Sequence, residues 1–551
     1  MKNRKFAINI LSLLLVIFAS GCNDFVEPKY APEMPWLTVD QMEMGVILPY
    51  VALNGGGWND VMGIYIAHEV MTTDLGVPFG SPSNETPSWA GRLHRQVGFE
   101  ALGWIGSAYR GIWGAIAGAN EALEFLNGGE PKDLFPRDPE AKLSEIPRLK
   151  AELYFMRGYA YHWAALYFTP PYDPQGANDD RVLPLKESNI DANNTYICTT
   201  KELWEFIIND LKEAKRLMPK SFHIPGRVDY YTICGALARV YFYTGNFTGA
   251  EAECSEIISS GKYALSKDVM EAWQVLHAGG GMPSSEPKEI IWMHTSNSRG
   301  QFNETFTVFT RGFPYASAWG MGNLGAFGRG PDSEGMWIGT RMSNAMAKKL
   351  GWMVDPANGN FTETDLARAD KRYGNTWSRI EGYLSRADLE AKIAETGDEN
   401  LWNKYTTQYS FLTHPIIYID KFYRGENPSQ TSYARMRYPE FLLMRAAIRF
   451  QTGNKNGAAA DLKVIRDRAG LPEIPAGSLT ADNIDREYVI EMGGEGGYQP
   501  YLMALRRPIP PGDRPGVANV NPPYSGWYWK IPIQEVATNA GYKDIPDPNS
   551  K

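Results

Sequence analysis

The chain has 551 residues, 43% of them hydrophobic, and a formal net charge of −8. That length and apolar content can bury a large core, and the acidic balance supplies no positive footprint for phosphate backbones, which excludes nucleic acid as a partner. Aromatics are the compositional outlier, with 16 Trp, 30 Tyr and 23 Phe, many in Gly-, Asn- and Pro-rich stretches with no core-facing period. Such a distribution suits a surface that binds flat, weakly charged ligands.

At the N-terminus Lys2, Arg4 and Lys5 precede an apolar run from Ala7 to Ala19. The run is well short of the ~20 residues a membrane-spanning helix needs. Ala19-Ser20-Gly21 follows at once, so residues 1–21 read as a cleaved secretory signal. The small residues end on Cys22, an arrangement that resembles the bacterial lipoprotein box with Ala19 where Leu is usual. That resemblance implies acylation of Cys22. Each buried acyl CH₂ contributes roughly 0.8 kcal/mol, so several chains on one residue anchor stably where one binds marginally. The remaining cysteines, Cys198, Cys234 and Cys254, are odd in number and allow at most one internal disulfide. Cys234 and Cys254 lie in apolar helical stretches and read as buried free thiols.

Between Pro147 and Pro170 the residues Leu149, Leu153, Met156, Ala160, Trp163 and Tyr167 recur every three or four positions, which describes one face of a helix. His162, on the same helix, reads as a hydrogen-bonded core residue. A second helix opens at Thr199-Thr200-Lys201-Glu202, a capping box, carries a stripe through Leu203, Trp204, Ile207, Ile208, Leu211, Ala214 and Leu217, and stops at Pro219. A third runs from about Tyr230 to Thr244, with Gly245 as its C-terminal cap, and a fourth starts near Thr248. Trp104, Trp113, Trp163 and Trp204 have helical spacing partners and are expected in the core.

An internal repeat links Gly245-Asn-Phe-Thr-Gly-Ala-Glu-Ala252, leading to Ile257, with Gly453-Asn-Lys-Asn-Gly-Ala-Ala-Ala460, leading to Ile465. Each copy follows a helix (Ala236 to Tyr243, Phe441 to Gln451), so both read as helix–turn–helix units of the tetratricopeptide kind. Their separation far exceeds the ~34-residue tetratricopeptide period. The expected fold is therefore mainly α, a helix-pair scaffold over about 40–265 and 438–507 with a long interruption rather than a continuous solenoid. The interruption, about 267–437, is irregular and Gly-rich, with short strands expected at Glu289 to His294 and Ile416 to Lys421. Loops of that length are uncommon unless functional, and the ligand site is expected there. The tail, 508–551, is rich in Pro, Gly and Asn and is expected to wrap the surface.

These residues together resemble the SusD/RagB family of surface nutrient-binding lipoproteins. The resemblance is carried by Cys22-Asn-Asp-Phe, by Leu153-Tyr-Phe-Met-Arg-Gly-Tyr-Ala-Tyr-His-Trp-Ala-Ala-Leu-Tyr167 with Leu183-Pro-Leu185 after it, and by Ile208-Asn-Asp-Leu-Lys-Glu-Ala214. It continues in Ala236-Leu-Ala-Arg-Val-Tyr241, Tyr438-Pro-Glu-Phe-Leu-Leu-Met-Arg-Ala-Ala447 and Ile465-Arg-Asp-Arg-Ala-Gly-Leu471. Glu491-Met492 and Glu495-Gly496 look like the family's Glu-Leu and Glu-Gly pairs, although Tyr498 stands where Arg is usual. The closing Ile531-Pro-Ile-Gln-Glu-Val536 is similar to the family's Pro-Ile-Pro-x-x-Glu-Ile signature but a residue short. The resemblance implies one SusD-like domain over 22–551, tethered to the outer membrane and exposed at the cell surface, that captures oligosaccharide and hands it to a SusC-like TonB-dependent transporter. Peptide or another nutrient as ligand, and a pure protein-assembly scaffold, are the alternatives.

Catalytic signatures are missing. Gly320-Met-Gly322-Asn-Leu-Gly325 matches GxGxxG, but no strand run precedes it, and Gly328, Gly330 and Pro331 oppose a following helix. No GxxxxGK[ST], HExxH or GxSxG occurs, and the seven His never fall at metal-helix spacing, so neither cofactor nor metal nor enzymatic activity is expected. Recognition of a neutral polyol uses aromatic faces against C–H patches and Asn, Asp and Arg side chains against hydroxyls. The candidate ligand residues are accordingly Trp58 after Gly55-Gly56-Gly57, Asn84 and Trp89 in a Ser-, Pro- and Asn-rich loop, and Tyr315, Trp319, Arg329 and Trp337 in the Gly-rich insertion.

Overall fold

A computed structural model describes residues 36–53, 73–75, 77–78, 103–189, 196–273, 287–294, 340–354, 362–380, 386–397, 416–419, 421, 433–512 and 516–550. Its principal helices are α1 (Val39–Leu53), α2 (Gly103–Asn127), α3 (Ile146–Phe168), α4 (Thr200–Leu217), α5 (Tyr230–Tyr243) and α6 (Phe247–Ser259). They continue as α7 (Asn344–Lys349), α8 (Tyr438–Gln451), α9 (Lys455–Ala469), α10 (Ala481–Met492) and α11 (Tyr498–Ala504). The fold is mainly helical. Helix boundaries follow local chemistry: Thr199 and Glu202 form the expected reciprocal cap of α4, and α4 stops two residues before Pro219 because proline cannot continue it.

Successive helices pack as neighbours, α1 on α2, α2 on α3, α3 on α4, α4 on α5 and α5 on α6. Helix α6 then lies directly against α8, which pairs with α9 and also contacts α10. The expected interruption of the scaffold is thus one of sequence and not of space: the two repeat units stack although the whole insertion separates them along the chain. Their turns are alike in detail. Asn246 and Asn454 are the N-caps of α6 and α9 with φ, ψ of −80°, 70° and −82°, 68°. Each side chain accepts a hydrogen bond from the glycine three residues on, Gly249 at 3.0 Å and Gly457 at 2.9 Å.

Helix α3 departs from the one-faced pattern, since 20 of its 23 residues are buried. It is enclosed by α1, α2 and α4, and its charged residues are paired, as burial requires. Arg157 makes a two-pronged contact with Asp210 of α4 at 2.8 Å for each bond. Glu152 takes Arg148 at 2.8 Å and both Nε and Nη2 of Arg227, while Tyr50 of α1 donates its hydroxyl to it at 2.6 Å. His162 is buried as expected, but its Nδ1 has no hydrogen-bond partner; the ring is instead boxed by Trp163 and Trp204. Trp163 and Trp204 are core residues, and Trp113 is partly buried against the same core. Cys198, Cys234 and Cys254 are free and buried, and burial pushes the Cys198 thiol up to about 12.

Strands are short and occur in antiparallel pairs: β1 (Val77–Pro78) with β5 (Thr340–Arg341), β2 (Arg181–Pro184) with β3 (Ile197–Thr199), and β4 (Ile290–His294) with β10 (Tyr433–Arg437). Two more join β6 (Met353–Val354) to β7 (Thr362–Glu363) and β8 (Trp377–Ile380) to β9 (Ile416–Ile419). Both strands read from the insertion's sequence, β4 and β9, are present.

The tail does more than wrap the surface. Trp529 is fully buried against Tyr167 and Phe168 at the end of α3, with ring centroids at 4.9 and 5.5 Å. Tyr542 donates its hydroxyl to the Val182 carbonyl of β2 at 2.8 Å. Proline and glycine deny this segment regular structure, yet its aromatic side chains still bury apolar area, at ~25 cal/mol per Å². Among the described residues no helix is long and apolar enough to cross a membrane.

Candidate functional site

The residues expected to touch ligand, Trp58, Asn84, Trp89, Tyr315, Trp319, Arg329 and Trp337, lie outside the described residues, as do Cys22, the N-terminal signal and the GxGxxG stretch. The structure describes the frame from which the stretches carrying them depart. Trp58 follows the end of α1 by five positions, Asn84 follows β1 by six, and Trp337 precedes β5 by three.

Two of these departure points are fastened together. In the β1–β5 pair, Val77 stands opposite Arg341 and Pro78 opposite Thr340. Because the pair is antiparallel, the chain leaving Pro78 towards Asn84 and Trp89 and the chain arriving at Thr340 from Trp337 share one end of the ribbon. No residue near Val77 reveals its partner in the sequence.

The pair is braced from two sides. Ser343, the N-cap of α7, donates its backbone N–H to the Asp74 carbonyl at 2.8 Å and its hydroxyl to the Asp74 carboxylate at 3.2 Å. Met342 donates its N–H to the carbonyl of Ile417 in β9 at 2.8 Å. Strand β9 pairs with β8, whose Trp377 is fully buried and gives its indole N–H to the Ile490 carbonyl of α10 at 2.8 Å. Contacts thus run from β1 through β5, β9 and β8 to the second half of the helical scaffold.

Beneath this frame, Asp370, Glu289, Glu487, Glu491 and Glu495 form one connected buried cluster with Arg372, Arg437, Arg466, Arg468 and Lys421, so that carboxylates and cations are equal in number. Glu289 precedes β4, Arg437 ends β10, Lys421 follows β9, and the other carboxylates except Asp370 sit on or just after α10. The cluster therefore ties the insertion to α9 and α10. Burial alone would raise the Glu491 carboxyl, but Arg468, Arg437 and Arg372 outweigh it and hold the group well below the usual carboxylate range. Burial likewise pulls the Lys421 ammonium down, against the opposing field of Glu495. Each charge here has an opposite partner, and the arrangement fixes the insertion to the scaffold.

Glu491, Glu495, Arg466 and Arg468 stand within the segments that carry the family resemblance, so part of the cluster was visible beforehand. Glu289, Arg372 and Lys421 were missed. No local pattern marks a charge whose partner lies a hundred residues away.

Comparison with known proteins follows the same outline. Residues 288–501 match the model of the SusD family, and residues 89–242 match a model described as starch-binding associating with outer membrane. SusD-like protein P2 of Formosa agariphila is 23% identical over 484 residues, covering 85% of this chain and 82% of its own. A SusD-like carbohydrate binding protein from Bacteroides vulgatus superposes with a TM-score of 0.64 at 14% identity, covering 92% of this chain and 98% of its own. Surface glycan-binding protein A from Bacteroides thetaiotaomicron, solved in complex with laminarihexaose, superposes with a TM-score of 0.62 at 17% identity, covering 92% and 99%.

Proposed function

We propose that this chain, which belongs to the SusD/RagB family, is a carbohydrate-binding protein of the outer membrane that captures oligosaccharide on its aromatic loops and passes it to a TonB-dependent transporter. It is not an enzyme in this reading. The observation that supports the proposal is the pairing of Pro78 with Thr340, which sets side by side the points where the chain departs towards Asn84 and arrives from Trp337. A sugar ring needs an aromatic face and fixed hydroxyl partners together, and two loops rooted side by side can supply both.

Support also comes from the relatives. One matched model is described as starch-binding associating with outer membrane, and one structural neighbour was solved in complex with laminarihexaose. Tethering through acylated Cys22 after removal of 1–21 fits that location. Residues 22–551 act as one unit in this proposal, the helical scaffold bearing the loop-rich insertion.

The test is calorimetric titration of the mature protein against an array of oligosaccharides and peptides. A saturable glycan isotherm is expected, and Trp89→Ala and Trp319→Ala are each expected to weaken it at least tenfold without changing the unfolding midpoint. Binding to peptides alone would replace the ligand class. Glycan affinity untouched by both substitutions would reject the site.

A further inference from the structure

A cavity opens inside the helical scaffold where α3, α5, α8 and the α10–α11 junction meet. Its walls include Trp163, Tyr488 and Tyr501, the last two with stacked rings 3.8 Å apart and 16° between planes. Its polar lining includes His162 of α3 and the ion pair between Arg239 of α5 and Glu440 of α8. Measured by the centres of water-sized spheres, the cavity holds about 50 Å³. One water needs roughly 10–15 Å³ on that measure, so there is room for several waters or for one small molecule in their place.

Three features restrict what fits. First, the charges are already matched: Arg239 gives Nε and Nη2 to the two oxygens of Glu440 at 2.6 and 2.7 Å, and Glu495, also in the lining, is held by Lys421 and Arg437. A charged ligand would find no counter-ion. Second, the hydroxyls of Tyr488 and Tyr501 are engaged elsewhere, with the Gly497 carbonyl at 3.0 Å and the Asp485 carboxylate at 2.7 Å, so these residues contribute ring rather than hydroxyl. Third, His162 is only 4% exposed, and its Nδ1 has no hydrogen-bond partner. His162 lines the cavity, and a ligand hydroxyl that meets its ring can donate to a bare ring nitrogen or accept from a protonated one.

We propose that this cavity is a second binding site, for a small neutral polyol no larger than a single sugar ring. Its hydroxyls meet His162 and the Arg239–Glu440 pair, and its C–H face lies on the aromatic wall. The site is independent of the surface loops and stands whether or not they bind glycan.

Saturation-transfer NMR on the mature chain with glycerol, glucose, galactose and mannose, together with crystals soaked in the same compounds, tests it. Expected are a saturable signal for at least one of the four, density for it beside His162, and at least tenfold weaker binding in His162→Leu. Leu166→Phe, which fills the cavity from its lining, is expected to abolish the signal and serves if His162→Leu does not fold. No saturable binding by any of the four, or only ordered water in the soaked cavity, overturns the proposal. Single-sugar binding that disappears with Trp319→Ala would belong to the loops and overturn it as well.

Discussion

Ser343 and Asp74 lie 269 positions apart, and the Ser343 hydroxyl donates to the Asp74 carboxylate at 3.2 Å. The same hydroxyl oxygen accepts the Met346 N–H at 2.9 Å and so caps α7. One side chain therefore starts a helix and clamps the ribbon on which the two proposed ligand loops are rooted. Replacing Ser343 by Ala is expected to cost about 1–2 kcal/mol, the usual value of a cap plus a buried hydrogen bond. Oligosaccharide affinity should fall with it. Urea unfolding and calorimetry check the two effects, and an unchanged unfolding midpoint would remove this contact from the frame.

The buried ion cluster gives a larger expectation. Arg437 reaches Glu289, Glu491 and Glu495 at once and is almost wholly buried. Substitution by Met leaves three carboxylates short of a cation, and breaking a buried pair from one side costs about 3–5 kcal/mol. Thermal unfolding should register a loss of that order. A loss below about 1 kcal/mol would mean the cluster is easily rearranged.

A pH dependence follows from His162. Burial and, to a smaller extent, the charge of Arg239 together lower its pKa to about 3, while an unfolded histidine titrates near 6.5. Between those values the unfolded chain binds a proton that the folded chain does not, so stability is fully present above pH ~6.5 and declines as pH falls towards 3. Glu491, also depressed, adds its own loss only below the ordinary carboxylate range near pH 4.3. From pH 6.5 to 5 the His162 contribution is at most about 2 kcal/mol. Urea midpoints at pH 7 and 5 should converge in His162→Phe relative to wild type; equal slopes in both proteins would contradict the assignment.

The repeated turns make a test of close packing. A Cβ on Gly457 would stand 2.6 Å from Nδ2 of Asn454, and one on Gly249 would stand 2.8 Å from Nδ2 of Asn246. In each case the obstructing amide belongs to the capping side chain, so relief of the clash loosens the cap. Gly457→Ala, which would gain up to about 1 kcal/mol at an open helical position, is expected to destabilise by about 1 kcal/mol. A gain measured by chemical unfolding would show that the Asn454 cap yields freely.

Sequence alone carried α3 to α6, α8, the cap of α4 and the repeat, because those signals are local: an apolar period, a Thr199–Glu202 box, an Asn three residues before a Gly. It carried β4 and β9 as well, each a compact apolar run. Only the tertiary structure decided which distant segments meet. Val77–Pro78 contains nothing that selects Thr340–Arg341, and Glu289 nothing that selects Arg437, since two-residue pairings and ion pairs are chosen by what the rest of the chain brings within reach. For the same reason the insertion divides the repeats in sequence while α6 and α8 touch, and α3, read as one-faced, buries 20 of its 23 residues. Local rules fix what each segment is, and packing free energy summed over the whole chain fixes where it goes.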